Sequence, residues 1–172
     1  VETLFPKELG ESTNGYIFRK IGTNLIMGMY YHDTTLEEAG LVQAKKYIDG
    51  KDTTWMRAAI GFLAAVITRD FPLASEQLYV LCKSMKRARE LLTDEYKSFC
   101  TYAHGLYQFA GQYLSKEEFA QIKRPEIDNF SKEYVQYCLE NKNKKIRPYI
   151  IFPKEMELVN KVFLFPLPIT EL

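Results

Sequence analysis

The sequence predicts an all-α chain, with about six or seven helices packed as antiparallel hairpins in a solenoid-like or irregular bundle. Three observations carry that expectation. Between Trp55 and Val66 the residues Trp55, Ala58, Ala59, Phe62, Ala65 and Val66 recur at helical intervals, apolar nearly all round. Asp70-Phe71-Pro72 then interrupts the run, and proline is well tolerated in the first turn of a new helix because its missing N–H would be unpaired there. The polar connections between helical stretches are short, which favours antiparallel neighbours.

Residues 1–24 carry Pro6, Gly10, Gly15 and Gly22 and read as an irregular segment, with a short strand or helix at 16–21. Residues 25–31 are apolar, and too few for periodicity to choose between helix and strand. Thr35 with Glu38 three residues on has the form of a capping box. Leu36, Ala39, Val42, Ala44 and Tyr47 then make a partly apolar face, up to the stop signal Asp49-Gly50. Asp52 or Thr53 can cap the central helix.

The helix opened by Pro72 is expected to run to Leu92, with Leu73, Leu78, Leu81, Met85, Ala88 and Leu92 on one stripe. Thr93-Asp94 caps a fourth helix that reaches Leu114, and Ser115 to Glu118 forms a second capping box. Pro125 breaks the next stretch, and Ser131 starts a helix through Leu139. Residues 141–172 read as a basic connector, an extended piece, a last helix from Pro153 and a proline-bearing tail. The whole is expected to form one domain over 1–172. Trp55 and the small residues after it are similar to a tetratricopeptide helix, yet no second copy recurs at a period of about 34 residues.

Composition narrows the function classes. An apolar fraction of 47% and an aromatic fraction of 14% set the chain apart from disordered sequences. A formal charge of +1 argues against broad attraction to nucleic acid or to anionic membranes. The apolar, uncharged run 58–68 is too short to span a bilayer. The start at Val1 suggests that an upstream segment was removed. Cys82, Cys100 and Cys138 lack CxxC spacing and sit among apolar neighbours, the pattern of packed thiols in a cytoplasmic protein.

Catalytic vocabulary is thin. His32-Asp33 could be an acid–base pair, but adjacent residues seldom aim at one target, and capping or solvation is the plainer role. Cys100 and His104 are one helical turn apart and could form a nucleophile–base pair near Tyr107, but core packing with one imidazole hydrogen bond is the plainer reading. No zinc spacing, HExxH, GxGxxG, GxxxxGK[ST] or GxSxG is present, and no metal or cofactor is expected. Two basic clusters, Lys83, Lys86, Arg87, Arg89 and Lys142 to Arg147, lack the interleaved aromatics of a base-stacking platform. Twelve tyrosines and eleven phenylalanines exceed what a small core requires, and tyrosine suits protein interfaces. The residues selected as partner contacts are Tyr96, Tyr107, Tyr113, Lys86 and Arg89.

Thr53-Thr54-Trp55, the run Ala58 to Ala65, Arg69-Asp70 and Leu73-Ala74, with the tail Tyr149 to Glu155 and Phe163 to Pro168, resemble a known family. They are similar to helical immunity proteins of bacterial polymorphic-toxin systems, in particular the family catalogued as number forty-nine. The resemblance implies a cytoplasmic, non-catalytic protein that binds and neutralises a cognate toxin. It carries over no contact residues. The alternatives are a helical enzyme or small-ligand protein with a site at Cys100 and His104, and a scaffold fragment of a longer chain.

Overall fold

A computed structural model of the chain describes residues 16–88 and 94–141, with the side chains of residues 16, 94 and 96 outside the description. The fold is all-α. Its segments are α1 (Tyr16–Tyr31), α2 (Thr34–Ile48), α3 (Thr54–Ile67), α4 (Phe71–Arg87), α5 (Asp94–Ser98), α6 (Thr101–Tyr113), α7 (Lys116–Phe119) and α8 (Lys132–Asn141). The chain divides into two compact units, Val1–Val135 and Gln136–Leu172, and the division falls within α8. The expected last helix and tail lie outside the described residues.

α3 is the centre of the first unit, as its all-round apolar pattern predicts. Trp55, Ala58, Ala59, Ile60, Phe62, Leu63, Ala65 and Val66 are buried, and α3 packs most extensively on α4, then on α1, α2 and α6. From α4 come Phe71, Ala74, Leu78, Leu81, Cys82 and Met85, the i, i+3, i+4 stripe read from the sequence. α4 ends at Arg87, before the expected Leu92, and residues 89–93 lie outside the described part.

Three expectations are corrected. Residues 16–24 are not irregular: they form the first half of α1, and Ile21 and Leu25 are fully buried against the core. Its glycines mark close approach. A Cβ on Gly28 would meet the backbone N of Glu37 at 3.0 Å, and one on Gly40 would meet Leu25 at 2.8 Å, so α1 and α2 pack with almost no side chain between them. α2 is capped by Asp33, whose carboxylate accepts from the Leu36 N–H, two residues before the expected Thr35. The expected helix 93–114 is two helices, broken where the Cys100 N–H leaves the helical ladder to donate to the Asn129 carbonyl at 2.8 Å.

The two hairpins α1–α2 and α3–α4 are joined by the same kind of turn. Each first helix closes with six-to-one and five-to-two backbone bonds: Asp33 N to Gly28 O with His32 N to Met29 O, and Asp70 N to Ala65 O with Arg69 N to Val66 O. The left-handed position that glycine usually fills is His32 in one, at φ 52°, and Arg69 in the other, at φ 60°. The next residue, Asp33 or Asp70, then caps the second helix through Leu36 or Leu73.

Candidate functional site

The α3–α4 hairpin has two ends, and polar side chains gather at both. At the turn end, the α6 residue Tyr113 lies between the two left-handed residues. His32 stacks on its ring at 5.9 Å, and the Arg69 guanidinium lies 4.8 Å from the same ring. Arg69 Nη1 donates to the Tyr113 hydroxyl at 3.1 Å, which donates to Glu37 Oε1 at 3.0 Å. Arg69 Nε donates to Glu118 Oε1 at 3.1 Å, while the other Glu118 oxygen completes the capping box with Ser115. Burial and the Glu37 carboxylate hold the Tyr113 hydroxyl above its ordinary range, with Arg69 opposing, so it stays a proton donor. Each charge here meets a partner. The side chains at φ > 0 explain why neither turn uses glycine: both are engaged by Tyr113.

At the opposite end, the start of α3 faces the end of α4 across a hollow of about 600 Å³. Thr53, Thr54, Trp55, Val80, Lys83, Ser84, Arg87 and Ala88 line it. The α3 N-cap residue, Thr53, makes no side-chain capping bond, and the first turn carries no acidic residue. Among the described residues Thr53 Oγ1 and the Trp55 indole Nε1 are buried without a hydrogen-bond partner, and Trp55 is only 5% exposed. Such orphans are uncommon in folded proteins. The adjacent carboxylate of Asp52 is occupied by the Tyr47 hydroxyl and the Thr53 N–H. Lys83 and Arg87 are exposed, have no ion-pair partner among the described residues, and succeed Tyr79 at four-residue steps on one face of α4. Lys83 lies over the Tyr79 ring at 5.7 Å, and Tyr102 packs on Trp55 at 5.3 Å.

The Cys100–His104 pair is a packed structural unit, the plainer of its two sequence readings. His104 Nδ1 donates to the backbone carbonyl of Cys100 at 2.9 Å, and Nε2 accepts from the Ser131 N–H at 3.0 Å. Those partners fix one neutral tautomer and leave neither nitrogen free for a thiol. Phe99 and Phe130 stack on the two faces of the ring at 4.1 and 4.4 Å. Burial lowers the His104 pKa. Cys100 is fully buried beside Cys82, whose thiol is pushed up by the hydrogen bond to Cys100 and by burial. The Cys82 hydrogen bond draws the Cys100 thiol down and burial opposes it, but the sulfur is fully buried and closed to a substrate.

The selected contact residues scatter. Tyr107 is corrected: it is 3% exposed and packs on Phe119 and Phe130, so its ring belongs to the core. Tyr113 lies in the closed network above. Lys86 is exposed and pairs with Asp128. Arg89 and the Tyr96 side chain fall outside the described residues. The stripe Tyr79, Lys83, Arg87 escapes a sequence reading as a unit, though its i, i+4, i+8 spacing is readable there. Among the described residues no His/Cys/Asp/Glu cluster is arranged for a metal, and no helix is long and apolar enough to cross a membrane. The chain matches no known family model, no curated protein and no solved structure.

Proposed function

We propose that this chain is a non-catalytic, protein-binding inhibitor of the immunity type, which neutralises a cognate bacterial toxin by direct binding. The observation that carries the reading is the surface around the Trp55 hollow. Tyr79 and Tyr102, each 41% exposed, flank Lys83 and Arg87 beside a recessed indole. Aromatic rings and arginine on a rigid scaffold are the usual anchors of a protein interface. Tyr79, Lys83 and Arg87 sit on α4, in the best-packed helix pair of the first unit, so little ordering entropy opposes binding. The resemblance of the 53–74 stretch to immunity proteins points the same way. The buried His104, with both nitrogens bonded to backbone groups, weighs against the catalytic dyad that competes with this reading.

The test is growth rescue. The product of the open frame directly upstream of this gene is expressed alone and together with the chain. Growth arrest relieved by co-expression, and restored by Tyr79→Ala with Tyr102→Ala, supports the reading. Arrest that persists with the wild-type chain, or a neighbour that is harmless, contradicts it.

A further inference from the structure

We infer that Cys82 and Cys100 are a reversible disulfide pair, a redox latch that ties α4 to the start of α6 in oxidising surroundings and releases it in reducing ones. The inference stands apart from the partner reading, because it concerns the core and needs nothing docked on the surface.

Three observations place the two sulfurs for this bond. Cys82 lies within α4 and Cys100 is the N-cap residue of α6, and both are fully buried in the same core. Asn129 clamps their backbones: its carbonyl accepts from the Cys100 N–H at 2.8 Å, and its Nδ2 donates to the Cys82 carbonyl at 2.9 Å. The side chains then meet, with the Cys82 thiol donating to the Cys100 sulfur. Sulfurs in that contact need only a local approach to reach the S–S length of about 2.05 Å. Cys138 is half-buried on α8 and takes no part in the clamp.

The two thiols are unlike. Cys100 starts a helix whose first turn carries no acidic residue, and the free N–H groups there favour a negative sulfur. The hydrogen bond from Cys82 draws the Cys100 pKa down, burial opposes it, and the Ala103 N–H adds to the lowering. The same hydrogen bond, with burial, keeps Cys82 protonated. Cys100 is therefore the attacking thiol and Cys82 the one that resolves.

Both sulfurs are sealed in the closed fold, so exchange runs through local opening. α5, which ends two residues before Cys100, has five residues, too few to hold without packing. Segments of that kind open at low cost. The oxidant is a small-molecule disulfide, here glutathione disulfide. The Cys100 thiolate attacks one of its sulfurs, the reagent S–S bond breaks, and one glutathione leaves and takes up a proton. Cys82, giving up its own proton, then attacks the Cys100 sulfur and expels the second glutathione, which takes that proton. The protein loses two protons and two electrons, and these reduce the reagent to two thiols. The bond closes the ring of residues 82–100, which restricts the unfolded chain.

The test uses the full chain, wild type and Cys138→Ala, equilibrated without denaturant in glutathione buffers from reducing to oxidising. Alkylation of free thiols, digestion and mass spectrometry read which cysteines are linked. A Cys82–Cys100 crosslink that forms in the folded chain, reverses with dithiothreitol and raises the thermal midpoint by about 5 °C supports the latch. Cys82→Ala should abolish both the crosslink and the rise. Because that variant opens the core, the oxidised and reduced wild type are the deciding comparison. Free thiols at both positions in the most oxidising buffer, a crosslink that forms only in urea, or glutathione retained on Cys138 alone overturns the inference. So does a midpoint that falls on crosslinking, since the bond would then strain the core it is meant to tie.

Discussion

The two ends of the α3–α4 hairpin are made from similar side chains and are treated oppositely. At the turn end, Arg69 meets Tyr113 and Glu118, Tyr113 meets Glu37, and the helix starts at Asp33, Asp70 and Ser115 are all capped by side chains. At the far end, Lys83 and Arg87 face a helix start whose Thr53 does not cap, beside an indole N–H with no acceptor. A satisfied polar cluster holds a fold together. An unsatisfied one costs stability until something from outside completes it. The contrast separates an end whose polar groups satisfy one another from an end where some are left unpaired.

The largest effect belongs to the closed end. Gly28→Ala places a methyl 3.0 Å from the Glu37 backbone N and 2.9 Å from its Cγ, forcing α1 from α2 and Glu37 from Tyr113. Urea denaturation should show a loss of about 2 kcal/mol. A neutral Gly28→Ala would mean that this end is not tightly built.

Mild acid acts first on a core histidine that belongs to neither end, and so provides a background for both. His104 is held neutral in the fold, its pKa lowered from 6.5 by burial. As pH falls below about 6.5 the unfolded chain takes up a proton that the native state resists, so stability falls, by at most about 1.4 kcal/mol per pH unit for one group. Above that range this contribution is flat. Urea midpoints that stay level or rise on acidification through pH 6 would contradict the neutral, doubly bonded ring.

Arg69 sharpens the comparison through a pair of variants. Arg69→Ala loses the network and keeps the left-handed backbone, while Arg69→Gly loses the same network and relieves the strain. Arg69→Ala should be the less stable by about 1 kcal/mol in thermal or urea melts. Equal stabilities would place the strain elsewhere.

The smallest effects concern the caps. Asp33→Ala and Asp70→Ala should each cost about 1 kcal/mol, whereas Thr53→Ala, which removes no capping bond, should change stability by only about 0.3 kcal/mol. A full cap penalty at Thr53 would erase the distinction between the ends.

Local chemistry made much of the fold legible. Pro72, the apolar run after Trp55, the Ser115 capping box and the Ser131 start all act through near neighbours, and each element appears where they place it. The features that escaped depend on distant partners. Gly22 punctuates an irregular segment in the sequence and Gly28 sits in an apolar stretch too short to assign, yet in the fold they are contact points of α1 with Ile60 and Glu37. The break at Cys100 has no glycine or proline behind it; Asn129 makes it, by taking the Cys100 N–H and donating from its side chain to the Cys82 carbonyl. Tyr107 and Tyr113 read alike on one helix, and only packing separates a core ring from a network hydroxyl. The hollow was half legible. Its cations and the central place of Trp55 could be read, but an N–H without an acceptor is a property of three dimensions.

The most direct measurement is the thermal midpoint of three proteins: wild type, Arg69→Ala, and Lys83→Ala with Arg87→Ala. Arg69→Ala, which breaks bonds to Tyr113 and Glu118, should melt lower, while the double variant should melt as wild type. A double variant that melts below Arg69→Ala would reverse the roles assigned to the two ends.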